Sequence, residues 1–143
     1  MPKLTREESL AFLRETTHTG HLATVRADGR PHVATIWYIV DDATGEIVFT
    51  TYNTSVKGKN IARTGYAALS VTDDTPPYTH VALDGPCTMV ADAAESRKWA
   101  GILGGRYMGA ERADEFAGRN GVPEEYVCRL TIANISGMSH VTD

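Results

Sequence analysis

Apolar positions follow a helical rhythm at the start of the chain and then mostly strand alternation, with helical stretches between. Thr5-Arg6-Glu7-Glu8 has capping-box spacing ahead of Leu10, Phe12 and Leu13, which predicts a short helix running to about Thr16, with Gly20 beyond it. Residues 21–26 and 32–40 flank Ala27-Asp28-Gly29-Arg30-Pro31 and read as a β-hairpin. In the second strand Val33, Thr35, Trp37 and Ile39 point one way and Ala34, Ile36, Tyr38 and Val40 the other, so cover is expected on both faces. A turn over 41–46 leads to a third strand, 47–52. A polar loop and a short helix follow, then a fourth strand over 66–72, a Pro-containing turn and a long fifth strand, 78–91. Gly85-Pro86 interrupts this last strand as expected for a kink or bulge at a barrel corner.

Asp92 then caps a helix with Trp99, Ile102, Leu103 and Arg106 or Tyr107 at helical spacing, its end weakened by Gly104-Gly105. Trp99 reads as core. A charged helix over 109–120 stops at Gly121 and Pro123, a last strand covers 126–133, and the tail from Asn134 is short and polar. Hairpin-like spacing without regular strand–helix alternation predicts a mainly β (α+β) fold, an antiparallel barrel with peripheral helices.

The stretch from Phe49 to Gly65 holds an electrostatic conflict. If Ser55 caps its helix and Gly65 ends it, Lys57 and Lys59 fall in the first turn, where the macrodipole is positive and acidic residues are favoured. An anion relieves that conflict. Free N–H groups, two ammonium groups and the hydroxyls of Thr50, Thr51, Thr54 and Ser55 suit a phosphate or a carboxylate; a solvated basic loop is the alternative.

Composition narrows the setting. A length of 143 residues suits one domain over 1–143, and a formal charge of -4 argues against a dedicated nucleic-acid binder. The charged start and the absence of a long apolar run lead us to expect a cytoplasmic protein without membrane or nucleic-acid partners. Cys87 and Cys128 lie far apart in strand-like runs and are expected as buried free thiols. His18 and His21 lie three apart across Gly20, with no carboxylate or cysteine at ligand spacing, so no metal site is expected.

As an ordered set, His21-Leu22-Ala23-Thr24-Val25, Asp28-Gly29-Arg30-Pro31-His32-Val33, Trp37-Tyr38, Lys57-Gly58-Lys59-Asn60-Ile61 and Leu83-Asp84-Gly85 resemble the split β-barrel flavin-binding proteins. That superfamily includes pyridoxamine phosphate oxidase and the oxidoreductases that use the deazaflavin F420. The resemblance covers nearly the whole chain. Arg106-Tyr107-Met108-Gly109 and the charged helix after it look more like the F420 branch, and the chain shows no match for the C-terminal substrate-binding segment of the vitamin B6 oxidases.

The resemblance implies a homodimer with two cofactor sites between subunits. Lys57 and Asn60 match the positions that bind the cofactor phosphate, with Lys59 and Arg63 as helpers; Arg63 equally suits a helix C-terminus. Thr50 and Thr51 match contacts to the ribityl chain and ring, or are ordinary strand residues. Val33, Ala34, Thr35 and Ile36 pass their backbone groups along the ring edge, and Tyr78 and His80 cover the ring from the partner, or are a turn tyrosine and a surface histidine.

Trp37 and Tyr38 face opposite ways, so one of them lines the substrate pocket or packs at the dimer interface. Tyr107 is a further pocket residue. No catalytic residue is assigned; Tyr38, His80 and Tyr107 are the candidates if a proton donor is needed. The activity implied is an F420-dependent reduction of a small conjugated acceptor, hydride transfer being the cofactor's chemistry. The alternatives are an FMN-dependent oxidoreductase on the same fold, or a non-catalytic module binding flavin, haem or a tetrapyrrole.

Overall fold

The computed structural model describes residues 2–15 and 17–142. Helix α1 spans Arg6–Glu15 and begins with the predicted capping box: Thr5 N–H donates to Glu8 Oε1 at 2.8 Å and Glu8 N–H to Thr5 Oγ1 at 3.1 Å. Thr16, where this helix was expected to end, lies outside the described residues. Strands β1 (Gly20–Val25) and β2 (Pro31–Ile36) form the first hairpin, β3 (Ile39–Val40) follows, and β4 is Ile47–Tyr52. Helix α2 (Val56–Thr64) starts at Ser55, whose Oγ accepts Gly58 N–H at 3.0 Å, and ends at Gly65 in the left-handed conformation. Strands β5 (Tyr66–Asp73) and β6 (Thr79–Val90) come next. Asp92 caps α3 (Ala93–Met108), a single 3-10 turn leads into α4 (Ala113–Asn120), and β7 (Glu125–Leu130) and β8 (Asn134–Met138) complete the chain.

All strand pairings between these elements are antiparallel, in the order β2-β1-β5-β6-β7-β4-β3, with β8 beside β6. The first and last strands of that order, β2 and β3, are separated by only Trp37 and Tyr38. The sheet must therefore curl until its edges approach, which makes the expected split barrel. Its interior is filled by Leu13, Leu22, Tyr38, Phe49, Ile61 and Leu69 with their neighbours; a smaller cluster of Val48, Trp99 and Val127 packs α3 against the outside of β4 and β7.

Three expectations need correction. The strand over 32–40 is broken: Tyr107 reaches the backbone of Tyr38 and divides it into β2 and β3. Within one chain its outer face is open, with Val33 63% exposed on an edge strand. The tail from Asn134 is strand β8, paired to β6 from His80↔Met138 to Asp84↔Asn134. Its polar residues hide a strand because partner and position, not side chains, decide the pairing. Gly104 does not loosen α3 but admits α4: a Cβ there would lie 2.3 Å from the Phe116 Cβ, and Ile102 turns outward.

The Gly85-Pro86 interruption is a corner. Strands β7 and β8 follow one another along the same edge of β6, with three residues between Leu130 and Asn134 facing two between Asp84 and Cys87. The extra residue is a bulge, stitched by Thr131 N–H to Pro86 O at 2.9 Å and Ala133 N–H to Asp84 O at 3.0 Å. Gly85 faces it so closely that no side chain fits.

Candidate functional site

The split lies between the free edge of β2 and β4, which do not pair, and a cavity of about 280 Å³ opens there. Thr35, Ile36 and Trp37 come from the free edge of β2, Thr50 from β4 and Lys57 from the first turn of α2. Leu103 of α3 and Glu125 of β7 close the other side. Six of the residues in the expected site thus converge: Thr35, Ile36, Trp37, Thr50 and Lys57 in the lining, and Tyr107 behind it, its ring stacked 5.0 Å from Trp37.

Capping explains why Lys57 is presented here. Ser55 Oγ accepts Gly58 N–H, donates to Tyr52 O at 2.8 Å and meets Thr51 Oγ1 at 2.9 Å. Lys59 N–H is taken by Ser55 O, which leaves the N–H groups of Val56 and Lys57 without an acceptor among the described residues. No carboxylate lies within ion-pair distance of the Lys57 ammonium among the described residues. Lys57 therefore presents an unpaired positive charge to a mainly polar cavity, at the helix end where the dipole adds to it.

The other expected residues lie outside that lining. Thr51 and Asn60 are buried and act through the scaffold: Asn60 Nδ2 donates to Thr24 Oγ1 at 3.0 Å, while its Oδ1 accepts from Arg63 at 3.2 Å. Arg63 also donates to the Val25 carbonyl. Tyr38 is fully buried, its hydroxyl donating to Leu13 O at 3.1 Å and its pKa pushed up to about 12 by that burial, so Trp37 is the member of the pair that faces the cavity. The Tyr107 hydroxyl accepts Tyr38 N–H at 3.1 Å and lies 2.8 Å from His18 O, so it fastens the β2–β3 break to α3.

Val33 and Ala34 continue the β2 edge away from the cavity lining. Tyr78 and His80 lie at the start of β6, outside that lining; Tyr78 adopts φ 60 after Pro77, and His80 pairs with Thr72 and Met138. Lys59, Asn60 and Arg63 line a separate depression of about 320 Å³ with Arg26 and Arg30, on another face of α2. Asp28, its carboxyl held below its usual pKa by the Arg30 N–H groups, is the acid among these cations.

Sequence reasoning missed Glu125. It begins β7 opposite Tyr52, is 8% exposed, and its pKa is raised by burial against the opposing influence of the Thr50 hydroxyl and the Lys57 charge. Only its place ahead of an apolar alternation marked it; the cover supplied by α3 could not be read locally. Both cysteines are buried free thiols, as expected.

The fold is that of the split-barrel flavin-binding proteins. The chain belongs to the pyridoxamine 5'-phosphate oxidase family, whose pattern it matches over residues 5–139. A conserved hypothetical protein from Mycobacterium tuberculosis superposes with a TM-score of 0.80 at 25% identity, covering 96% of this chain and 86% of the other. An F420 reductase superposes with a TM-score of 0.68 at 28% identity, covering 87% and 94%. A haem storage protein from Vibrio cholerae shares the fold, with a TM-score of 0.68 at 17% identity over 92% and 94% of the two chains. No curated protein matches the sequence.

Proposed function

We propose that the protein is an F420-dependent reductase of small conjugated acceptors such as an enone, a quinone or a conjugated heterocycle. The observation that carries this reading is the Lys57 cavity: an ammonium without an ion-pair partner beside a free strand edge, on a helix whose first two N–H groups are unsatisfied. These residues fit a phosphate-bearing tricyclic cofactor. Lys57 with the Val56 and Lys57 N–H groups would hold the phosphate, and Thr50 the linking chain. The backbone of Val33, Ala34, Thr35 and Ile36 would align the ring, with Trp37 over the acceptor pocket.

Thr51 and Asn60 hold α2 in place for this task, through Ser55 and Thr24. The cofactor supplies the hydride chemistry. F420 is favoured over FMN by two considerations. The neighbour described as an F420 reductase is 28% identical, against 21% and 19% for neighbours described as a putative pyridoxamine 5'-phosphate oxidase and a FAD-binding protein, and the basic depression of Arg26, Arg30, Lys59 and Arg63 suits anionic charge beyond one phosphate. A homodimer completes the reading. Val33, Tyr52 and Tyr66 are exposed apolar or aromatic residues that a second copy would cover, bringing its Tyr78 and His80 to the ring. We place the protein in the cytoplasm on its composition.

Titrating F420 and FMN into wild type and Lys57→Ala tests the assignment. Loss of a charge-assisted hydrogen bond of about 1.5–3 kcal/mol weakens F420 binding roughly 10–150-fold. An unchanged dissociation constant, or no binding of either cofactor, refutes it. Tighter binding of FMN than of F420 transfers the activity to FMN, and tight binding without turnover across a panel of acceptors makes the protein a carrier.

A further inference from the structure

Lys57 is only half of the charge in the cavity. Glu125 lines the same space, yet the two are not within ion-pair distance, so an ammonium and a carboxylate face one cavity without satisfying each other. The carboxyl group therefore offers the cavity acceptor capacity that a ligand can use, since a carboxylate has room for about four hydrogen-bond donors. The chain supplies few. The backbone of Glu125 is spent on structure: its N–H donates to Val122 O at 3.0 Å, and its carbonyl accepts from the Ser96 hydroxyl at 2.5 Å. For the side chain, the Thr50 hydroxyl is the donor at hand.

Glu125 is also held firmly in this position. Its pairing with Tyr52 places it on the outer face of the sheet, the face that carries Thr50 on β4 and Val127 on β7, and α3 covers that face through Ser96 and Ala100. The backbone anchors on both sides of its Cα hold the Glu125 side chain toward the cavity. A purely anionic ligand does not suit this cavity, since Glu125 would repel what Lys57 attracts. A purely cationic one fails for the opposite reason. The match is a ligand that carries an anion at one point and hydroxyl donors at another.

We propose that Glu125 is a binding residue that accepts hydrogen bonds from the hydroxyl groups of a phosphorylated polyol chain whose phosphate is held by Lys57. This rests on the cofactor reading above and sharpens it. The chain between ring and phosphate is recognised through its hydroxyls, so the site discriminates a polyol phosphate from phosphate alone.

The test measures dissociation constants of ribitol 5-phosphate, inorganic phosphate, F420 and FMN for wild type, Glu125→Ala and Glu125→Gln, with ligand-observed NMR for the two weak probes. Thermal unfolding of each variant confirms that it is folded. Glu125→Ala is expected to weaken ribitol 5-phosphate and the preferred cofactor roughly 10-fold or more. Glu125→Gln, which keeps one acceptor oxygen, loses less. Inorganic phosphate binds both variants as well as wild type or better, because a repelling charge is gone. A Glu125→Ala variant that binds ribitol 5-phosphate as tightly as wild type overturns the proposal, as does a wild type that prefers inorganic phosphate. Wild type that binds ribitol 5-phosphate but neither cofactor sinks the cofactor reading while Glu125 keeps its role.

Discussion

Replacing Gly85 by alanine tests the corner on which the barrel turns. A Cβ at this position would stand 1.7 Å from Thr131 O and 2.9 Å from Ala133 N, both backbone atoms of the bulge between β7 and β8. Backbone cannot rotate away as a side chain does, so the bulge must move. Moving it breaks the Thr131–Pro86 and Ala133–Asp84 hydrogen bonds, about 0.5–1.5 kcal/mol each, and overpacks a buried corner at a further cost of about 1–3 kcal/mol. The expected loss is about 2–6 kcal/mol, a large share of the roughly 5–15 kcal/mol that holds a domain folded. Gly118→Ala is the control. It lies in α4 with nothing within 4 Å of an added Cβ, and should gain about 0.5–1 kcal/mol from helix propensity. Urea melts of both variants at pH 7 give the comparison. A Gly85→Ala protein within about 1 kcal/mol of wild type would show that the corner yields, and would refute the steric account.

Two further expectations concern charge and thiols. Arg129 Nη1 lies 2.9 Å from Asp41 Oδ2 and 3.1 Å from Glu46 Oε1, with its guanidinium over Trp99, and its hydrogen bond holds the Asp41 carboxyl below the usual range. A depressed carboxylate contributes stability that is present above the unfolded pKa near 4 and is lost as pH falls through the folded value. Arg129→Met should therefore be less stable than wild type at pH 7 and 5, with a gap that narrows at pH 3; an equal gap at all three pH values assigns the effect to packing on Trp99. Burial pushes the Cys87 thiol up to about 12 and Cys128 well above its ordinary value. Neither should react with a disulfide reagent at pH 8 in the native protein, and both should react in guanidinium. Fast modification of one thiol without denaturant would contradict the packing found here.

Local chemistry made much of this fold legible. The Thr5–Glu8 capping box, the Ser55 and Gly65 boundaries of α2 and the Asp92 cap of α3 depend on residues within a few positions of one another, and each appears where its spacing predicted. The apolar runs that marked β1, β4, β5 and β7 are local too; alternate residues are buried along β1 and β5, while β4 and β7 are buried on both faces. The break at Trp37-Tyr38 was not legible. It depends on the hydroxyl of Tyr107, 69 residues further on, taking the Tyr38 backbone. Strand β8 was missed because its sequence, Asn-Ile-Ser-Gly-Met, has few β-formers, and its place beside β6 comes from the continuity of β7 past the bulge.

The site divides along the same line. Lys57 stood out in the sequence because its charge conflicts with a helix dipole only two residues from its cap, a purely local fact. Which residues share a cavity with it was a tertiary matter. Curling the sheet brought Thr35 and Trp37 against Thr50, and docking α3 over β7 buried Glu125 beside them. It also separated Lys57 from Lys59 and Arg63, which the sequence grouped together but which open onto another face of α2. Sequence alone determined most of the elements, their caps and the location of an excess positive charge, because those follow from neighbours along the chain. Only the tertiary structure decided that a buried carboxylate faces that charge, because burial is set by elements that meet from distant parts of the chain.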